Sequence, residues 1–246
     1  MTGPVGLHGG AEFLAGDERF LAALLETAAV RRAPGTDAPL CVVVLPSAAA
    51  RENPDKAART GTHAFERVAR NLGMDVECDV ARVIDAPSAE DDAIAECLAG
   101  GDLIYLPGGD PGLVPALLAG TRAWQAVVRA SARGAVVAGA SAGAMGLAPF
   151  TWGPSGIRPG LGLVGGLVVI PHFATFDPAR WQPELARAAD LGLGILGLDE
   201  RTGVLSDPAG GPWRVVGEGR AWWSRPRTSE PVVARDGETI DLRLAG

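Results

Sequence analysis

Leu40-Cys41-Val42-Val43-Val44-Leu45 is a run of six apolar residues with no polar interruption. A strand with one wet face alternates apolar and polar residues, so an unbroken run marks a strand covered on both faces. Such strands belong to parallel sheets flanked by helices. The feature recurs at Leu103-Ile104-Tyr105-Leu106, Ala135-Val136-Val137-Ala138 and Leu167-Val168-Val169-Ile170, and a shorter apolar stretch ends at Leu7. Helical signals fill the gaps. Asp17 stands where it can cap a helix over 18–31, and Pro34-Gly35-Thr36-Asp37 breaks that helix. Phe65, Val68, Ala69 and Leu72 share one face of a helix over 54–72, and Ser88 opens another that runs to Leu98. Two short helices follow near 112–118 and 122–133, and a last one covers 178–189. The pattern predicts a doubly wound, three-layer α/β/α sandwich around a mostly parallel sheet.

Past residue 203 the pattern changes. Short strands at 204–205, 213–216, 221–223, 232–233 and 239–242 are separated by Asp207-Pro208, Gly217-Glu218-Gly219 and Asp236-Gly237. These predict antiparallel hairpins extending one edge of the domain. No linker, repeat or charge run divides the chain, so 1–246 is read as one domain with 203–246 as its β extension.

Composition removes several function classes. A net charge of -7 does not suit a phosphate-binding surface, so no nucleic-acid partner is expected. The longest apolar stretch, 161–170, is too short to span a membrane, and no secretory leader opens the chain. The expected location is the cytoplasm. There, Cys41, Cys78 and Cys97, which lack C-x-x-C spacing, are expected to be buried free thiols. No His/Asp/Glu cluster has metal-ligand spacing and no glycine loop has a nucleotide-binding pattern, so neither metal nor cofactor is expected.

Ligands of doubly wound sheets bind beyond the carboxyl ends of the strands. Three stretches there carry chemistry. The first is Gly139-Ala140-Ser141-Ala142-Gly143, a G-x-S-x-G pattern at a strand-to-helix junction. The turn needs residues without bulk two places either side of the serine, and its strain lifts the hydroxyl clear of the sheet. The same five residues could also be a plain connection whose serine caps a helix. The second is Pro107-Gly108-Gly109-Asp110, whose Gly109 amide can join that of Ala142 in an oxyanion hole. The third is His8-Gly9-Gly10, where His8 either lines the site or is a bystander of the glycine loop. The segment 150–162, rich in Gly and Pro, reads as a loop over the site.

A serine nucleophile needs a base and a group to orient it. Of three histidines, His63 lies within a helix, and His172 follows a buried strand directly and belongs on the edge that carries Ser141. No Asp or Glu occurs between Ala144 and Pro171, so the acid cannot lie between serine and histidine. Asp199 and Glu200 are the first strand-end acids after His172; Asp177 reads as a cap. Spacing alone does not choose between Asp199 and Glu200.

Strand-Pro-Gly-Gly-Asp, Gly-Ala-Ser-Ala-Gly-Ala, Pro-His-Phe and Gly-Leu-Asp-Glu-Arg-Thr, in this order, resemble the S51 serine peptidases, which include peptidase E and cyanophycinase. The likeness runs from about Gly6 to Trp223. It implies the class I glutamine amidotransferase-like fold, with Ser141 as nucleophile, His172 as base and, by similarity to the cyanophycinase-like branch, Glu200 as orienting acid. Asp110, His8 and Arg180 are the substrate-binding candidates. Arg180 is what remains here of the arginine-rich segment that follows His-Phe in cyanophycinases. True glutamine amidotransferases of this fold carry cysteine at the elbow, which Ser141 argues against. The resemblance implies a serine peptidase or amide hydrolase acting on a small peptide or related amide. A non-catalytic binding or regulatory protein that kept the fold is the alternative, and a homodimer is left open.

Overall fold

The structure is a computed structural model that describes residues 3–32, 36–153, 156–206, 211–226 and 230–243. The expected turns at Pro34-Gly35 and Asp207-Pro208 lie outside the described residues. In chain order the elements are β1 (Val5–His8), α1 (Glu18–Arg31), β2 (Leu40–Val44), α2 (Pro54–Leu72), β3 (Val76–Val80), α3 (Ala86–Ala89), α4 (Asp92–Gly100), β4 (Leu103–Leu106), α5 (Leu113–Leu118), α6 (Arg122–Ala132), β5 (Val136–Ala140) and α7 (Ala142–Leu147). They continue with β6 (Phe150–Gly153), β7 (Gly156–Pro159), β8 (Leu167–Ile170), α8 (Gln182–Asp190), β9 (Gly194–Leu198), β10 (Thr202–Leu205), β11 (Trp213–Gly217), β12 (Arg220–Ser224), β13 (Val232–Arg235) and β14 (Thr239–Ile240).

The main sheet has the order β14-β11-β10-β1-β5-β4-β2-β3. Its β1, β5, β4, β2 and β3 pair in parallel, while β10, β11 and β14 are added antiparallel on the β1 side. Strand alternation divides the core in two. Val42, Val44, Tyr105 and Ala138 point toward α1 and α2, where Phe20, Leu21, Leu24 and Phe65 are fully buried. Val43, Ile104, Leu106 and Val137 point to the opposite face, toward Leu98, Trp124 and Val127 of α4 and α6. Each of these large side chains contributes about 1.5–3 kcal/mol by leaving water. The architecture is the mixed α/β fold the apolar runs predict. Among the described residues no helix is long and apolar enough to cross a membrane.

Four details differ from the sequence reading. First, β8 and β9 leave the main sheet and form a second one, ordered β13-β12-β9-β8. The hairpin strands past 203 are therefore divided between two sheets instead of extending one edge. Second, Ser88 does not open a long helix. It sits inside α3, where Asp85 and Ser88 form a capping box, and α4 starts separately under an Asp91 cap. Third, the described residues after α7 include two strands, β6 and β7, paired antiparallel with Trp152 opposite Ile157, and residues 160–162 are loop. Fourth, α8 begins at Gln182, later than expected. Cys41, Cys78 and Cys97 are free thiols but only partly buried.

Candidate active site

Register explains why distant residues meet. Leu7 lies opposite Gly139 across β1 and β5, and Leu106 lies opposite Gly139 across β4 and β5. The three strands therefore end level, and Gly9-Gly10, Ser141 and Gly108-Gly109 emerge side by side. On the second sheet, Ile170 of β8 lies opposite Gly197 of β9, so Pro171-His172 and Asp199-Glu200 also leave at one level. The His8–Gly10 segment ties the two sheets together. The Ser141 N–H donates to His8 O at 2.9 Å, the His172 N–H to Gly9 O at 2.8 Å, and the Arg201 N–H to Gly10 O at 2.9 Å.

Ser141 has φ 47 and ψ -113, outside the comfortable regions for a residue with a side chain. Holding it there costs about 1–3 kcal/mol, which the surrounding bonds must offset. The flanking glycines are required by close approach. A Cβ on Gly139 would lie 2.5 Å from the Gly143 carbonyl carbon, and one on Gly143 would lie 2.0 Å from Leu106 O. His172 is also left-handed, at φ 52, and caps a short turn whose Thr175 N–H and hydroxyl both donate to its carbonyl.

Ser141 Oγ lies 3.1 Å from His172 Nε2, and His172 Nδ1 lies 2.8 Å from Glu200 Oε1. Placing the imidazole proton on Nδ1 satisfies both contacts: Nδ1–H donates to the carboxylate, and Nε2 is free to accept the serine proton. The His172 and Glu200 side chains are 42% and 51% exposed, so solvent screens the pair and its value is mainly orientational. Asp199 turns the other way. Its side chain is 8% exposed, and Oδ2 accepts from the Arg220 backbone N–H at 3.0 Å and from Arg220 Nε at 3.2 Å.

Gly109, at φ 147, has no room for a side chain, because a Cβ would lie 2.3 Å from Ala48 O. Among the described residues no hydrogen bond uses the N–H of Gly109 or of Ala142. Free amides placed near a nucleophile can receive an oxyanion; Ala142 directly follows Ser141, and a Cβ on Gly108, next to Gly109, would lie 3.3 Å from Ser141 Cβ. Asp110 accepts the Gly112 N–H at 2.8 Å and, with Arg51, Trp152 and Arg158, lines a cleft of about 330 Å³ beside that loop. Arg180 lies over the Trp181 ring, 5.5 Å from its centroid, and among the described residues nothing bonds it to Ser141, His172 or Glu200.

His8 does not line the cleft. Its side chain is fully buried, stacked on Phe20 at 4.8 Å, with Nε2 at 2.9 Å from Asp17 Oδ1. Asp17 in turn stands at the start of α1 without capping it; its Oδ2 accepts the Phe13 N–H at 2.8 Å. Sequence reasoning missed Glu12. Its Oε1 accepts the Gly108 N–H at 2.7 Å, and the signal available was an acid two places after the strand-end Gly9-Gly10. Beneath it, Tyr105 is fully buried, and burial, aided by the charges of Asp17 and Glu12, pushes its phenol well above its ordinary pKa.

The model of peptidase family S51 matches residues 41–207, more than half of the chain. The chain belongs to this family. Among solved structures, the S51 chain is similar to a peptidase from an acI-B1 Actinobacterium, at 27% identity and TM-score 0.79, covering 98% of this chain and 97% of that one. It also shares its fold with a putative peptidase E protein from Listeria monocytogenes EGD-e, at 16% identity and TM-score 0.54, covering 96% and 99%. No curated protein matches it. S51 membership and peptidase neighbours support a peptidase, that is, a hydrolase of peptide bonds.

Proposed function

We propose that the protein is a serine-type peptidase of the dipeptidase or cyanophycinase-like kind, acting in the cytoplasm on a small peptide or related amide. The observation that carries this reading is the unbroken contact chain from Ser141 Oγ through His172 to Glu200. Ser141 Oγ attacks the substrate carbonyl carbon while its proton passes to His172 Nε2. The carbonyl oxygen, now negative, is received by the Gly109 and Ala142 amides. Glu200 holds the imidazole in the right tautomer and stabilises the imidazolium. Collapse breaks the C–N bond, with the leaving amine taking the proton from Nε2. Water, deprotonated by the same nitrogen, then releases the acyl group and restores the serine.

The test is a panel of X-Ala dipeptides assayed for released amine, with the wild type beside Ser141→Ala. Cleavage of at least one dipeptide that the variant does not cleave supports the reading. Equal rates for the two proteins, or none for either, would favour a binding protein that kept the fold.

A further inference from the structure

We infer that Glu12 selects substrates by a free α-amino group, its carboxylate receiving the ammonium of the residue whose carbonyl Ser141 attacks. This rests on the serine-peptidase reading and narrows its substrate class to short peptides with an unblocked amino terminus.

Three observations converge on Glu12. The space left by the missing side chain of Gly108 is bordered by both partners: a Cβ there would lie 2.8 Å from Glu12 Oε1 and 3.3 Å from Ser141 Cβ. Glu12 Oε1 and Ser141 therefore border the same small space beside Gly108, next to Gly109 in the chain. Next, Glu12 is only partly buried, and among the described residues no Lys, Arg or His stands within ion-pair distance of it. Finally, it is held in place with some strain. Its neighbours Ala11 and Phe13 are both left-handed, at φ 58 and 67. Phe13 is fixed by Asp17 through its N–H and by packing of its ring on Tyr105, and Asp17 is fixed beside buried His8. The inward-facing His8 and Asp17 thus brace the loop that presents Glu12.

A negative charge beside this space opposes an oxyanion forming at the neighbouring amides, unless something neutralises it. A substrate ammonium does so. The α-nitrogen lies about 2.5 Å from its own carbonyl carbon. With that carbon at a near-attack distance of about 3–3.5 Å from Oγ, the ammonium stays within about 6 Å of the serine. A carboxylate has acceptor sites for more than one donor, so Glu12 can hold the Gly108 N–H and still take an ammonium. An acylated or internal nitrogen brings no charge and carries further chain into the space Gly108 leaves.

The test uses the best-cleaved X-Ala dipeptide and its N-acetyl form, with wild type and Glu12→Gln, a variant that keeps an acceptor for Gly108. The wild type is expected to prefer the free amine. Glu12→Gln should lose about 10- to 100-fold in kcat/KM on the free dipeptide, the worth of one charge-assisted contact, while cleavage of the N-acetyl form holds or rises. Should the variant fold poorly, protection of wild-type Ser141 from a fluorophosphonate is compared instead. The free dipeptide should then protect at concentrations at least about tenfold lower than its N-acetyl form. Ser141-dependent cleavage or protection indifferent to the amine, or an equal loss on both substrates, would overturn the role of Glu12 alone. A protein with no Ser141-dependent turnover or labelling would overturn the hydrolase reading and this inference together.

Discussion

Gly10→Ala is a test of how tightly the backbone holds the imidazole. Gly10 has φ 104, and a Cβ there would lie 2.3 Å from His172 Cε1, 2.6 Å from Nε2 and 3.0 Å from Nδ1. Ordinary carbon contact is near 3.5 Å, so the ring must retreat by about 1 Å. It has little backbone freedom with which to do so, because the His172 N–H is tied to Gly9 O and its own φ is already 52. Retreat lengthens the contact to Ser141, the contact to Glu200, or both. A misplacement of about 1 Å costs about 100-fold in rate, or about 2.7 kcal/mol of barrier. The positive φ adds about 1–3 kcal/mol of destabilisation, at about 2–4 °C of Tm per kcal/mol for a chain of this size. Gly73→Ala is the control, since Gly73 is also left-handed but a Cβ there meets nothing within 4 Å. It should lose stability and keep activity. Peptide hydrolysis and thermal melts of both variants decide the matter. Gly10→Ala with wild-type kcat/KM would show that the imidazole is not held by this contact, and the positioning argument would fail.

Ser141→Ala and His172→Ala should each reduce kcat by about three orders of magnitude or more, and the double variant should be no worse, as steady-state kinetics will show. Glu200→Gln should lower kcat with little change in KM. Asp199→Asn should act mainly on stability, because its buried Oδ2 holds two Arg220 donors; a thermal melt and a kinetic assay on each variant separate the two. Burial first, with nearby carboxylates adding, raises the thiols of Cys41 and Cys78 to about 11 and about 12. The unfolded chain loses these protons near pH 9 and the native state holds them, so stability should fall as pH rises from about 9 toward 11–12. Thermal melts across pH 8 to 10.5 should show a smaller fall in a Cys41→Ala, Cys78→Ala protein, and an unchanged slope would contradict the assignment.

The parts of the site set by local constraint were legible in the sequence. Gly139 and Gly143 lie within five residues of one turn, and their need for small size follows from that turn alone. The apolar runs of β2, β4 and β5 announced a sheet covered on both faces. Membership of β8 and β9 in a second sheet was not legible, because it depends on pairing with β12, some two dozen residues farther along. The choice between the two readings of His8 stayed open for a related reason. Alternation along β1 places it on the same face as Gly6, under Phe20 of α1, but the residue that meets it there is Asp17, which in sequence reads as a helix cap. Spacing left Asp199 and Glu200 equivalent; just past the end of β9 they turn to Arg220 and to His172 respectively. Glu12 comes against Gly108 by a loop fold-back joining residues 96 apart, which no local pattern encodes.

The most direct measurement is reaction of the purified protein with a fluorophosphonate, followed by peptide mass spectrometry to locate the adduct. Stoichiometric modification at Ser141, lost in Ser141→Ala and slowed by about a hundredfold or more in His172→Ala, is the expected result. A folded protein that takes up no label, or takes it equally fast without His172, would contradict a serine activated through His172 and Glu200.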